Sequence, residues 1–146
     1  MQLTVYLAGQ IHDDWRAQLR RLAEERGLPL TFVGPQENHD LSDDIGEKIK
    51  GPQPSNIFKD EAASEFNNLR TTILLQKADV VIALFGDKYR QWNTAMDAAT
   101  ALATGKPLIL VRDPKLHHAL KELAQKADVV VDNVEQALDA LAYVLR

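Results

Sequence analysis

With 146 residues, 45% of them hydrophobic and 26% charged, the chain has the size and composition of one soluble globular domain, spanning 1–146, that buries its own core. A formal net charge of −4 and a pI near 5.5 argue against a nucleic-acid polymer or an anionic membrane as the main partner. The sequence contains no cysteine, which excludes disulfides, thiol catalysis and thiolate metal sites.

Met1 leads straight into strand-like sequence, and no apolar run approaches the roughly 20 residues of a membrane span, so a cytoplasmic protein is expected. Leu3 to Ala8 is a nearly continuous apolar run, as in a strand covered on both faces, and Gly9-Gln10-Ile11-His12 forms the turn after it. Asp13 is placed to cap a helix reaching about Arg26. The apolar stripe of that helix is Trp15, Leu19, Leu22 and Ala23, with arginines and glutamates opposite, and Gly27 stops it. Leu28 to Val33 reads as a second strand closed by Gly34-Pro35. Residues 35–56 do not look like a core element, and allow one short helix near Ser42–Ile49. A connection of that length is usually functional or mobile.

A long helix is expected from Ile57 to Gln76, with Phe58, Ala62, Phe66, Leu69 and Ile73 as its stripe. Val80–Phe85 is the third strand and Thr94–Thr104 an alanine-rich helix. Gly105-Lys106-Pro107 turns into strand four, Leu108–Val111. Asp113-Pro114 starts a helix over Lys115–Gln125, Val129–Val131 is a fifth strand, and Glu135–Leu145 is a closing amphipathic helix. Strands alternating with helices imply a doubly wound, five-stranded parallel sheet of flavodoxin-like or Rossmann-like type, in the order 2-1-3-4-5, with helices on both faces. That order makes strands one and three neighbours, so the loops Gly9–Asp13 and Gly86–Asn93 flank one crevice at the switch point.

Asp97 stands out there as the single charged residue between Thr94 and Thr104. A helix without a charged outer face is buried on most sides, and a buried carboxylate costs free energy unless it is hydrogen-bonded or has a task. The plainer alternative is that Asp97, in the first turn, favours the positive end of the helix dipole, with Asn93 as cap. Asp87 is either a turn aspartate or a ligand contact. Tyr6 reads as core with a satisfied hydroxyl or as part of the site, and Gly9 permits close approach of a ligand backbone-on. Gln10 and His12 lie in the same loop. Trp15 fits its helix stripe, whereas Trp92 has no stripe to join and suits stacking on a flat ring.

His39 with Asp40, Asp43 and Asp44 could in principle hold a divalent ion, but acidic loop clusters are mostly solvated caps and turns, and no metal is expected. His117-His118 has no acidic or polar partner in spacing. Asp60, Asn67 and Arg70 lie off the stripe of the long helix, and Arg70 could hold a carboxylate or phosphate. No G-x-G-x-x-G or phosphate-loop pattern occurs, which removes the usual dehydrogenase and nucleoside-triphosphatase readings and implies no cofactor. The small residues of the alanine-rich helix would let two subunits approach, so a homo-oligomer, dimer or higher, is expected.

These residues resemble the nucleoside 2-deoxyribosyltransferase superfamily. Tyr6-Leu7-Ala8-Gly9 is similar to its tyrosine-containing opening motif. Ala78-Asp79-Val80-Val81, Asn93-Thr94-Ala95-Met96-Asp97 and Gly105-Lys106-Pro107 are similar to its second signature, an aspartate-led strand, Gly-Thr-x-x-Glu and Gly-Lys-Pro. The whole chain looks like one compact bacterial branch, the YtoQ-like proteins. The resemblance implies cleavage of the N-glycosidic bond of a nucleoside or its monophosphate, with a carboxylate attacking the anomeric carbon and another base or water resolving the glycosyl-enzyme.

On that resemblance Asp97 is the nucleophile and Tyr6 orients it or the sugar. Asp87 and Asn93 contact sugar hydroxyls, Gln10 and Trp92 line the base pocket, and Gly9, His12, Asp60 and Arg70 complete the binding set. The family's glutamate is Asp97 here, its glycine is Asn93, and the aspartate six residues before the nucleophile is Gln91. A carboxylate of either length can trap an oxocarbenium-like transition state, with the sugar about an ångström nearer for aspartate. The alternative reading is a binding module that senses a nucleotide-like metabolite in the same crevice without turnover.

Overall fold

A computed structural model describes residues 1–86 and 90–146. Five strands, β1 (Leu3–Ala8), β2 (Leu30–Val33), β3 (Val80–Phe85), β4 (Leu108–Arg112) and β5 (Val129–Val131), form one parallel sheet in the order β2-β1-β3-β4-β5. The helices are α1 (Trp15–Glu25), α2 (His39–Lys50), α3 (Asn56–Lys77), α4 (Trp92–Ala103), α5 (Lys121–Lys126) and α6 (Val134–Val144).

The strict alternation of a strand explains why these runs are apolar throughout. Val5, Leu7, Val80, Ile82, Ile109 and Val111 pack under Trp15 and Leu19 of α1 and Leu138 and Leu141 of α6. Their neighbours Tyr6, Ala8, Val81, Ala83, Leu108 and Leu110 pack on the other face with Leu75 of α3 and Ala98 and Ala101 of α4. The central pairing sets Leu7 beside Ile82 and Ile82 beside Ile109, so β1 and β3 leave the sheet side by side at its C-terminal edge.

At the opposite edge, two aspartates fasten the strands. The Asp79 carboxylate accepts from the Thr4 N–H at 2.8 Å while the Asp79 N–H donates to the Thr4 carbonyl. The Asp128 carboxylate accepts from the Leu108 N–H at 2.8 Å, and the Asp128 N–H donates to the Leu108 carbonyl. Both belong to the same four residues, Ala-Asp-Val-Val, at 78–81 and 127–130. In each, a carboxylate satisfies an amide at the start of the neighbouring strand.

Five expectations are corrected. Residues 35–56 hold a full helix of 12 residues, capped by the Asn38 side chain on the Leu41 N–H. It packs on α3 so closely that a Cβ on Gly46 would lie 2.5 Å from the Ala62 carbonyl carbon. The three prolines and the acidic composition hid its full length, of which only a short helix near Ser42–Ile49 was expected. The stripe of α3 is only partly used: Ala62 is buried, but Phe58, Leu69 and Ile73 are exposed, since α2 covers only one flank of a long helix. The helix expected over 115–125 is a 3₁₀ turn at Pro114–Leu116 followed by the short α5. Finally, α4 starts at Trp92, which puts Asn93 inside the helix and Asp97 in its second turn. At the other strand, β2 starts at Leu30 rather than Leu28.

Candidate active site

The loops after β1 and β3 open onto a cavity of about 540 Å³ walled on its far side by α2 and α3. Gly9, Gln10, Ile11 and His12 form one wall; Arg90–Thr94, Met96 and Asp97 form the second. His39, Ser42 and Asp43 of α2 with Asp60, Ser64, Asn67, Asn68 and Thr71 of α3 form the third. The Asn67 amide donates to the Ser42 carbonyl at 2.9 Å and ties the two helices of that wall together.

Asp97 is 7% exposed, with Thr94 at 4% one turn earlier, and the fully buried Tyr6 hydroxyl donates to its Oδ2 at 3.2 Å. Burial pushes the Asp97 carboxyl up to about 6, while the Tyr6 hydrogen bond and the Arg16 guanidinium pull it back down. The Tyr6 hydroxyl is driven well above its ordinary range by burial first and by the Asp97 charge second, so it stays a donor. A dipole role for Asp97 loses its basis, because the favourable field is confined to the first helical turn and the first turn of α4 holds no acid. What remains is a desolvated carboxylate, held by one phenol and facing a polar cavity.

Gly9, Gln10, His12, Asp60, Trp92, Asn93 and Asp97 all line this cavity. Tyr6 stands behind Asp97. Trp92 is 73% exposed at the rim, within 5.8 Å of the Arg90 guanidinium. Trp15 is core, as its stripe requires. Arg70 lies outside the lining: its Nε donates to the Gly34 carbonyl at 3.2 Å. Asp87 lies outside the described residues. His12 meets His39 edge-on with ring centroids 5.1 Å apart, and His39 pairs with Asp43 at 3.3 Å. Among the described residues no group of three or more His, Asp or Glu could hold a metal ion, and no helix is long and apolar enough to cross a membrane.

Two parts of the site escape sequence reasoning. The α2 wall lay in a segment without a core pattern. Arg16, grouped with the outward arginines, is 2% exposed and donates to the carbonyls of Leu7, Gly9 and Gln10. Helical spacing held the clue, since Arg16 falls within about 20° of Ala23 at the edge of the apolar stripe. Gln91, which stands where an aspartate was sought, bonds the Gly86 backbone on both sides, its amide donating to the Gly86 carbonyl at 2.7 Å and its oxygen accepting from the Gly86 N–H.

A doubly wound parallel sheet with a polar crevice beyond the C-terminal ends of β1 and β3 defines an α/β protein of the doubly wound class, in which that crevice is the usual place for a ligand. The backbone resembles a 2-deoxyribosyltransferase from Bacillus psychrosaccharolyticus, with a TM-score of 0.60 and 16% identity over 92% of this chain and 89% of that one. It also resembles the CMP N-glycosidase BcmB of Clostridium botulinum, with a TM-score of 0.55 and 16% identity over 96% and 98% of the two chains. A conserved protein from Enterococcus faecalis V583 aligns with a TM-score of 0.64 and 17% identity over 95% and 96%. At such identities these likenesses speak for the fold. In sequence, the chain is 57% identical to the protein YtoQ of Bacillus subtilis (strain 168) over 143 residues, 98% of this chain and 97% of its relative. The chain belongs to the family described as nucleoside 2-deoxyribosyltransferase YtoQ, which it matches over residues 6–145.

Proposed function

We propose that the protein is a nucleoside or nucleotide N-glycosyl transferase or hydrolase in which Asp97 is the nucleophile. The observation that carries this reading is the buried Tyr6–Asp97 pair facing a polar cavity at the sheet's switch point. Family membership and the folds of a deoxyribosyltransferase and an N-glycosidase support it.

In the first step Asp97 attacks C1′ as the C1′–N bond breaks. The bonding pair leaves with the base, which takes up a proton from solvent, and a glycosyl ester remains on Asp97. Attack on C1′ by a nitrogen of a second base, or by water, then breaks the ester C1′–O bond and releases the Asp97 carboxylate, the attacking group losing its proton to solvent. The nucleophile must be ionised, so the reaction gains rate as pH rises through about 6, the value to which burial pushes Asp97. Tyr6 orients the carboxylate. Gly9, Gln10, His12, Asn93 and Trp92 contact sugar and base from the two loops, and Asp60 faces them across the cavity. The outward side of α4, with exposed Trp92, Met96, Ala95, Ala99 and Ala103, supports assembly into a homo-oligomer, which light scattering would test against a monomer.

The test is incubation with a panel of nucleosides and nucleoside monophosphates, with and without free bases, comparing wild type with Asp97→Asn. Base release or exchange by wild type alone is the expected result. Absence of both with every substrate overturns the reading, and calorimetric binding without product would make the crevice a sensing site.

A further inference from the structure

Arg16 is the most buried charged side chain of the described residues, and it faces the back of the site rather than the cavity. Its Nε and Nη2 donate to the Leu7 carbonyl at 3.3 and 2.9 Å, Nη2 also to the Gly9 carbonyl at 2.9 Å, and Nη1 to the Gln10 carbonyl at 2.6 Å. These three carbonyls mark where β1 leaves the sheet, where the regular backbone ladder ends and a buried carbonyl needs another donor. The guanidinium also lies 4.7 Å from the centre of the Trp15 ring, whose indole N–H donates to the same Gln10 carbonyl at 3.0 Å. The Trp15 ring in turn lies so close to Gly9 that an added Cβ would meet it at 2.6 Å.

We propose that Arg16 is a positioning residue of this site: its forked guanidinium fixes the Gly9–His12 wall from behind, and its charge is the buried counterpart of the Tyr6–Asp97 pair. The inference deepens the proposed glycosyl chemistry and rests on it for the substrate, but not for the electrostatics. Burial of a charge is costly unless its hydrogen-bonding capacity is used, and a planar fork spreads five donors over three nitrogens, whereas an ammonium gathers its three on one atom. Burial lowers the Arg16 pKa, with the nearby Glu37 opposing; Glu37 is itself engaged at 2.9 Å by Arg20. The charge reaches Asp97 through space and helps keep it ionised. The other groups that face Asp97 are Tyr6 from β1 and, around the cavity, His12, His39, Asp43, Asp60 and Arg90.

Three variants separate fork from charge. Arg16→Lys keeps the charge and loses the fork, so KM should rise about tenfold while the Asp97 titration midpoint, read from its carboxyl carbon by NMR, stays near that of wild type. Arg16→Gln loses both, so KM rises and the midpoint moves upward. Trp15→Phe leaves Arg16 in place and should keep KM within about twofold. Wild-type KM in the lysine variant overturns the fork, and an unmoved midpoint in a folded glutamine variant overturns the charge. A tenfold KM rise in Trp15→Phe transfers the role to the indole and overturns Arg16. If wild type acts on no nucleoside, the glycosyl reading falls while the NMR titration still decides the charge.

Discussion

The two edges of the same sheet use carboxylates in opposite ways. At the N-terminal edge, Asp79 and Asp128 each accept a backbone N–H at 2.8 Å from the neighbouring strand. At the C-terminal edge, Asp97 has been taken out of water with a phenol as its neighbour, and its carboxyl is pushed up to about 6. A carboxylate that meets amide donors at the sheet's margin contributes to pairing. One that is desolvated beside a cavity retains unspent affinity for positive charge, which is what an oxocarbenium-like centre offers.

The sharpest way to break this contrast is Asp97→Asn. If Asp97 is the nucleophile, the variant should lose about 10³-fold or more in kcat in a base-release assay, whereas Asp79→Ala and Asp128→Ala keep the wild-type rate per folded molecule. Equal activity in all three would erase the distinction.

The second expectation concerns stability. Because the folded Asp97 pKa lies above its ordinary value of 3.8, the native state binds the proton more tightly than the unfolded chain. Wild-type stability should therefore fall as pH rises from about 4 to about 6, by at most about 3 kcal/mol, a ceiling that cavity water lowers. Asp97→Asn has no such loss. Urea denaturation at pH 4 and pH 8 should show the variant gaining on wild type only at the higher pH, and a constant difference would contradict the buried-charge account.

Tyr6→Phe sharpens the same point from the other side. It removes a donor that favours the ionised carboxyl, so the acid limb of the pH–rate profile should move to higher pH and the rate above it should drop roughly 10- to 100-fold. A profile that keeps its wild-type position would remove Tyr6 from the site. The smallest effects belong to the strand latches. Losing one amide–carboxylate bond in Asp128→Ala should cost about 1 kcal/mol in chemical denaturation, and Asp79→Ala no more than that, since its bond to Thr4 is the more exposed.

Much of the fold was legible because its signals are local. Short uninterrupted apolar runs led by β-branched residues, such as Val80–Phe85, suit strands covered on both faces, and their alternation with amphipathic helices leaves few topologies. The helix His39–Lys50 was legible only in part, as a short helix near Ser42–Ile49, because its stabilising face is Gly46 against Ala62 and Ala63. A glycine and two alanines make a close contact that no hydrophobic periodicity announces. The stripe of α3 misled in the opposite direction, since Phe58, Leu69 and Ile73 repeat at helical spacing yet stay exposed.

The sequence by itself determined the strand order, the convergence of the two strand-end loops and the singular position of Asp97. All of these follow from composition along the chain and from the handedness of crossovers. Tertiary structure alone decided the electrostatic identities. Tyr6 meets Asp97 across 91 positions of chain, Arg16 turns inward at the margin of an apolar stripe, and α2 becomes the far wall of the cavity. Burial and through-space charge depend on what the fold brings next to a residue, and no neighbour along the chain carries that information.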